Sequence, residues 1–460
     1  MFFNTNMTNL KPEEMYYIEK PDLTKIDKSR MAEKLEESGF HEFRRYFEKT
    51  NEPKYLYWDK LKYKNAPQGL TKEEFWSLVR QFRNLLLKKT PIKAENGDYF
   101  KWIRLPCTEE FLHKIDISSG GQVFATMETL SDMSKQKFIS KGVLEEAIAS
   151  SQLEGAHTTR QVARKMIIEK RQPKNVFEQM ILNNYNTMLA LDEDYKNQEL
   201  SEELLFEIHR MLTQKTIEES KQGRFRKNKD NVVVQGYIGS KEYTTHIPPK
   251  EAFIKNEIGK LIEFANDNEK EFLHPIIKAI FIHFWVGYLH PFADGNGRLA
   301  RALFYWYLLR KNYWTFMYLP ISTIIKRALS QYAMAYIYSE QDSCDMTYFY
   351  DFHLRKIMES LESFNVYIKE KVLENKAIDK ILSKDIILND RQKHLVHYLI
   401  SGDNIYATVT SHGMLNKIAR QTSAKDIKIL EKKNLVEGNR SGKFIRYMAT
   451  EKLLRMANRK

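Results

Sequence analysis

Cysteine is nearly absent from this 460-residue chain: Cys107 and Cys344 are the only two, far apart in sequence. Their scarcity excludes a disulfide-stapled scaffold and any cysteine-rich metal site, and suits a reducing compartment in which both thiols are buried bystanders. No apolar run approaches the roughly 18 residues of a membrane-spanning helix. The opening "MFFNTNMTNLKPEEMYYIEK" lacks the basic and apolar regions of a secretory signal. These absences predict a cytoplasmic protein with no membrane contact. Internal repeats and low-complexity tracts are missing too. What is present is an ordinary globular composition, 42% hydrophobic and 29% charged, in a chain long enough for two or three domains.

Positive charge is unevenly spread. The formal net charge is +13, and residues 376–460 hold 18 Lys and Arg against 8 Asp and Glu, so +10 of the +13 falls there. Such asymmetry points to a separate C-terminal module, either facing an anionic partner or carrying a soluble basic surface.

Between about Leu130 and Asn375 nearly every segment reads as helix, among them "VFEQMILNNYNTMLALDEDY", "SEELLFEIHRMLTQ" and "RLARALFYWYLLRK". One stretch, "NVVVQGYIGSKEYTTHIPP", reads instead as a hairpin. There Val232-Val233-Val234 and Tyr243-Thr244-Thr245 flank Gly236 and Gly239, and Pro248-Pro249 close it. Residues 1 to about 100 alternate helix-like patches with aromatic stretches; Phe75, Leu78, Phe82, Leu85 and Leu86 recur at helical spacing. After Asn375 the order is helix, helix pair with a polar turn, and a strand pair turning at Ser441-Gly442, which predicts a winged helix-turn-helix over 376–460. The expected fold class is mainly α: a helical bundle with one β-hairpin, plus that C-terminal winged helix.

Polar chemistry concentrates at "HPFADGNGRLAR", residues 290–301. Pro291 predicts that the preceding helix stops near His290, and a new helix should begin at about Arg298. The unpaired N–H groups of Gly295, Asn296 and Gly297 at that helix start can form an anion-binding concavity. Arg298 and Arg301, three apart, add positive charge where the helix dipole disfavours it, which makes sense if a polyanion such as a nucleotide phosphate chain sits there. Asp294 supplies an oxygen ligand of the kind Mg²⁺ takes alongside phosphate and water, and His290 is the natural general base. A tight interhelical turn with solvated arginines would account for each residue singly, but less well for all of them together.

At these residues the chain resembles the Fic family, whose motif HPFx(D/E)GNGRxxR is matched at every fixed position. The resemblance extends over about residues 105–365, through "GRFRKNKDNVVVQG", "THIPP", "HPIIKAIFIHFWVGYLH", "LPISTIIK" and "SQYAMAYIYSEQDS". It implies a Fic-type helical bundle and an enzyme that moves AMP from ATP to Ser, Thr or Tyr hydroxyls of proteins, itself included. His290 would then deprotonate the target hydroxyl and Asp294 hold Mg²⁺. The Gly295-Asn296-Gly297 backbone and the Asn296 side chain would cradle phosphates, with Arg298 and Arg301 neutralising them and Phe292 turned into the core. The hairpin, about 232–247, would be a flap that pairs with the target segment through Val232, Val233, Val234, Thr245 and His246. Tyr332 would line the adenine pocket, whereas Glu340 stands where the resemblance leads one to look for an asparagine, so the nucleotide donor stays open between ATP and another such as UTP or GTP.

A second resemblance is to the inhibitory pattern (S/T)xxxE(G/N), met by Ser150, Glu154 and Gly155 at the end of a helix over about 140–156. Glu154 is locally misplaced, since a carboxylate at a helix C-terminus opposes the dipole. The resemblance implies that it pairs with Arg301 and restrains ATP binding, or orients a water that removes AMP. In the tail, Ser423 would open a recognition helix, with Lys425 and Lys428 free for phosphates and Arg440, Lys443 and Arg446 on the wing, so DNA is a candidate partner. The reading thus divides the chain into a helical region of unexplained role (1–104), a Fic core (105–365) and a winged helix (376–460). It leaves the target protein and any homodimer open, with a DNA-binding regulator that uses the core as nucleotide sensor as its rival.

Overall fold

The computed structural model describes residues 4–6, 15–24, 26–38, 40–119, 132–269, 271–385, 387–400, 406–416, 418–441 and 444–458. The chain is mainly α-helical with three small antiparallel sheets, the fold class its periodicity predicts. In chain order the elements used below are β1 (Asn4–Asn6), α1 (Lys28–Ser38), α2 (Phe40–Asn51), α3 (Lys72–Leu86), β2 (Lys88–Lys93), β3 (Tyr99–Trp102), α4 (Cys107–Ile117), α5 (Asp132–Leu153) and α6 (Arg160–Ile168). Next come α7 (Val176–Ala190), α8 (Glu202–Thr213), β4 (Val232–Ile238), β5 (Lys241–His246), α9 (Glu251–Ala265), α10 (Pro275–Leu289), α11 (Asn296–Arg310), α12 (Ile321–Arg327) and α13 (Leu329–Gln341). The last are α14 (Thr347–Asp385), α15 (Asp390–Ile400), α16 (Val409–Leu415), α17 (Arg420–Lys432), β6 (Val436–Ser441), β7 (Phe444–Ala449) and α18 (Glu451–Asn458).

Two compact units result. One comprises Met1–Gln122, Gly142–Ala163 and Pro173–Leu361; the other comprises Val123–Lys141, Arg164–Gln172 and Glu362–Lys460. In the first unit α10 is apolar almost all round, its residues from Ile276 to Val286 are buried, and its one charged side chain, Lys278, pairs with Asp267 and Glu269. A helix without a polar face belongs inside a core, and α10 is enclosed together with α11, whose Leu299, Leu303 and Trp306 are fully buried. Residues 1–104 belong to this unit. Phe43, Phe75, Trp76 and Val79 form a cluster with Ile337 of α13 and Tyr348 of α14.

Two expectations for this N-terminal part are corrected. Leu85 and Leu86 do not share the buried face of α3: they are 81% and 51% exposed, and the buried face runs through Phe75, Trp76, Leu78, Val79 and Arg83. Arg83 is tolerated there because its guanidinium donates to Asn51 Oδ1 and to the Thr50 and Leu56 carbonyls while lying 3.7 Å over the Tyr55 ring. The region is also not wholly helical, since β2 and β3 form a hairpin beside Asn96-Gly97, a turn signal the helical reading passed over.

The second unit holds α15, α16, α17, the β6–β7 ribbon and α18 around Leu395, Val396, Ile427, Leu430 and Leu435. Its helix α17 begins at Arg420, three residues before Ser423, which is buried and donates to the Val409 carbonyl at 2.6 Å. Ser423 is thus a helix-packing residue rather than the opener of α17. Lys443 and the turn at Gly442 lie outside the described residues. Among those described, no helix is long and apolar enough to cross a membrane. Cys344 is buried, Cys107 is half-buried, and burial raises both thiols to about 11, so both stay protonated.

Candidate functional site

The site is assembled at the junction of α10 and α11. His290 caps α10 with a left-handed φ of 45°, the residue before Pro291 being barred from continuing the helix. Arg226 clamps the turn: its side chain donates to the His290 carbonyl at 2.7 Å and to the Pro249 carbonyl, and its amide donates to the Pro291 carbonyl. Phe292 is fully buried and stacks on the His209 ring with centroids 3.8 Å apart. His209 Nδ1 accepts from the Gly223 amide, so Nε2 carries the proton and donates to the Asp294 carbonyl at 2.9 Å. Burial lowers its pKa to about 4, which keeps this wedge neutral.

Gly295 turns the chain with a φ of 81°, where any Cβ would also meet Thr213 at 2.8 Å. The helix then begins at Asn296, two residues earlier than expected. One expectation fails here. The Asn296 side chain is not offered to a ligand, because Oδ1 accepts from the Phe292 amide and Nδ2 donates to the Phe292 carbonyl, both at 2.8 Å. It is 1% exposed and ties the loop, and the Gly295 amide donates to Asp294 Oδ1 rather than standing unpaired as expected, which leaves the Asn296 and Gly297 N–H groups as the candidate anion donors.

The two arginines separate in role. Arg298 is 1% exposed, donates Nη1 to the Leu212 carbonyl at 2.7 Å, and has Asp294 Oδ1 3.8 Å from Nη2. Its Nε and Nη2 lack hydrogen-bond partners among the described residues. An undersatisfied buried cation at a helix N-terminus suits an incoming anion. Arg301, in contrast, is held within the chain: Nε donates to Ser150 Oγ at 2.8 Å, and Nη2 donates to the Ser150 carbonyl and to Glu154 Oε1, both at 2.9 Å. Burial pulls its pKa down, yet the Glu154 carboxylate raises it further, so the net shift is upward. Glu154 also lies against Gly297, where a Cβ would meet its Oε1 at 2.1 Å. A carboxylate therefore sits at the α11 N-terminus. Gly155 follows with a φ of 92° and ends α5, which Glu146 anchors by accepting from the Ser322 amide and the Tyr305 hydroxyl, both at 2.9 Å.

His290, Gly297, Arg301 and Glu154 line one pocket of about 540 Å³. Tyr332, Tyr336 and Glu340 complete it along one face of α13, and Val234, Thr245 and His246 from the β4–β5 flap. Val232 and Val233 are buried but do not line it. Burial lowers the His290 pKa to about 3, with His246 and Arg226 adding to the shift, so the imidazole is neutral at physiological pH. The Gly287 carbonyl, 3.2 Å from Nδ1, can only accept, which assigns the proton to Nδ1 and the lone pair to Nε2. Tyr332 meets His283 Nε2 at 3.0 Å, and Glu340 Oε2 lies 2.7 Å from His246 Nδ1. Asp294 is the single carboxylate of the loop, 40% exposed, and no cluster of three His, Cys, Asp or Glu stands ready for a metal among the described residues. One carboxylate fits Mg²⁺ arriving with a nucleotide, since that ion completes its shell with phosphate oxygens and water.

Sequence reasoning missed Arg226, His209 and Tyr336. The first two carry no local signal, but Tyr336 follows Tyr332 at i+4 and so shares its helix face.

Residues 199–308 match the Fic/DOC family. Among curated proteins the chain is similar to the protein adenylyltransferase Fic of Drosophila mojavensis, 29% identical over 159 residues, or 33% of this chain and 28% of that protein. It is also similar to the protein of the same name from Nematostella vectensis, 35% identical over 68 residues, covering 15% of this chain and 16% of that one. The matched part is thus under a third of these relatives' lengths. Similar solved structures include a Fic family protein from Desulfovibrio desulfuricans, with TM-score 0.44, 19% identity and coverage of 74% and 96%. Residues 134–508 of C. elegans Fic-1 give 0.41, 15%, 56% and 70%. The family match and the curated relatives support a Fic protein.

Proposed function

We propose that the chain is a protein adenylyltransferase that moves AMP from ATP to Ser, Thr or Tyr hydroxyls of proteins, itself included, and that Glu154 restrains it. The observation that carries this reading is the carboxylate of Glu154 against Gly297 and on Arg301, where a polyphosphate would need the same cation and the same N–H groups. A built-in anion at an anion site is what an autoinhibited nucleotide enzyme requires. In the reaction the target hydroxyl oxygen attacks the α-phosphorus, its proton passes to His290 Nε2, and pyrophosphate leaves. The neutral imidazole with its lone pair on Nε2 suits that task. Arg298 and the Asn296 and Gly297 N–H groups would hold the phosphates, and Tyr332 and Tyr336 would pack the nucleoside. Asp294 would hold Mg²⁺, which supplies charge neutralisation when bound. The flap would dock the target.

Intact mass tests the proposal. Glu154→Gly protein incubated with Mg²⁺ and ATP should gain an AMP unit, the unmutated protein less, and Glu154→Gly, His290→Ala none; no gain by Glu154→Gly with any nucleoside triphosphate refutes the transferase reading. The same assay with UTP and GTP decides the donor, and loss of AMP from premodified protein would identify a de-AMPylating role for Glu154.

A second reading concerns the basic unit. Lys425 and Lys428 on α17 and Arg440 on β6 are exposed, as a winged helix that meets DNA requires, while Arg446 stacks 4.5 Å over Tyr406. If this surface binds DNA, affinity falls steeply between 50 and 200 mM salt, by about a hundredfold or more for a handful of phosphate contacts. Retention of DNA that is unchanged by removing residues 376–460 would refute it.

A further inference from the structure

The flap does not present bare edges. β1 pairs antiparallel with the outer edge of β4, with Asn4 opposite Val234, Thr5 opposite Val233 and Asn6 opposite Val232. On the other side Met15 makes a parallel bridge to Thr244 of β5, and the Tyr16 amide donates to the Thr244 carbonyl at 2.9 Å. Both edges of the hairpin are therefore covered within the same chain, by residues 4–6 on one side and by Met15 and Tyr16 on the other.

The two covers differ in how firmly they are held. The Tyr16 ring packs edge-on to Tyr243 with centroids 5.3 Å apart, and the Tyr16 carbonyl accepts from the Gln341 side chain at 2.8 Å. Ile18 donates its amide to Gln341 Oε1 at 2.9 Å, and its side chain is buried in the core. The β5 side is thus anchored to α13. β1, in contrast, is a strand of three residues, at the short limit for strands in folded proteins. So short a strand gains its place chiefly by belonging to the same chain as the edge it pairs with, which raises its local concentration over that of a free peptide.

We infer that residues 4–6 are a strap over the β4 edge that competes in cis with an extended peptide adding to the same edge in trans. The partner this edge fits is a segment running antiparallel to β4, recognised by main-chain pairing. Val234, opposite Asn4, lines the pocket that holds His290, so a strand in this register passes beside the candidate reaction centre. The inference rests on the reading of the hairpin as a target-docking flap, and its test is read without nucleotide.

The probe is a fluorescein-labelled synthetic peptide, MFFNTNMTNL, titrated by anisotropy into the full chain and into a variant lacking residues 2–6. The shortened chain should bind it at least tenfold more tightly than the full chain, and the same peptide with Thr5→Pro, which removes a main-chain donor, should lose that affinity. Equal affinity for both chains, or binding to neither, overturns the strap. As a second readout, amide exchange at Val232–Val234 should quicken tenfold or more both in the shortened chain and in full-length Thr5→Pro, with Thr244 unchanged; unaltered exchange overturns the proposal as well. Absence of AMP transfer would leave these readouts untouched, whereas transfer by a chain whose strap does not exchange would sink the strap alone.

Discussion

At the scale of single residues the proposed chemistry turns on His290. A histidine whose folded pKa is about 3 is already in its base form throughout the physiological range. The single-turnover rate of Glu154→Gly protein should therefore hold level on the acid side from pH 8 down to about pH 5; a fall centred near pH 6.5 would mean that His290 titrates normally and is not sequestered. The loop residues were legible because their spacing is local: Gly295, Gly297, Arg298 and Arg301 succeed one another along one helix start. Their division of labour was not. That Arg298 keeps two nitrogens without partners among the described residues while Arg301 is engaged by Ser150 and Glu154 depends on Leu212 and Ser150, which approach from other helices. The Asn296 side chain closing on Phe292 is likewise a contact made only once the loop has folded.

At the scale of elements, α5 carries Glu154 to Arg301, and its seat is set by a close approach at Gly142. A Cβ there would meet the Met317 carbonyl oxygen at 2.4 Å and Tyr318 Cα at 2.6 Å, both backbone atoms that cannot swing away. Gly142→Ala should lower Tm by several degrees and, by shifting α5 off Arg301, raise self-modification with ATP above that of the unmutated chain; an unchanged Tm would show that the seat gives way freely. On α3 the exposed and buried positions lead to opposite outcomes. Leu85→Lys should change stability by no more than about 0.5 kcal/mol. Arg83→Ala should cost about 3 kcal/mol or more, because it strips three buried acceptors and a ring contact together. Urea denaturation of the two variants measures both. Helical spacing marked α3 correctly as amphipathic, but it assigned Leu85 and Leu86 to the wrong face, since only the packing of α2 and α14 defines which side is inside.

At the scale of the whole molecule, buried histidines couple folding to pH, His290 and His412 among them. His209, His283 and His353 are at most 2% exposed, and burial lowers all three, His209 to about 4 and His353 to about 3. A histidine lowered on folding binds its proton only when the chain unfolds, so stability is complete above about pH 6.5 and is lost as pH falls toward the folded values. Between pH 7.5 and 5.5 His209, His290 and His353 together should cost about 4 kcal/mol, with His283 and His412 adding to the loss and Glu146, Asp342 and Asp351, whose carboxyls burial raises, opposing it. Denaturation midpoints that are equal at the two pH values would contradict it. The sequence by itself determined the helical class, the basic tail, the hairpin and the glycine loop with its histidine, because each is written in spacing over fewer than about twenty residues. Only the tertiary structure decided that Glu154 meets Arg301, that Arg226 clamps the loop and that residues 4–6 cover the flap, because those contacts join segments far apart in the chain and depend on how closely packed backbones approach.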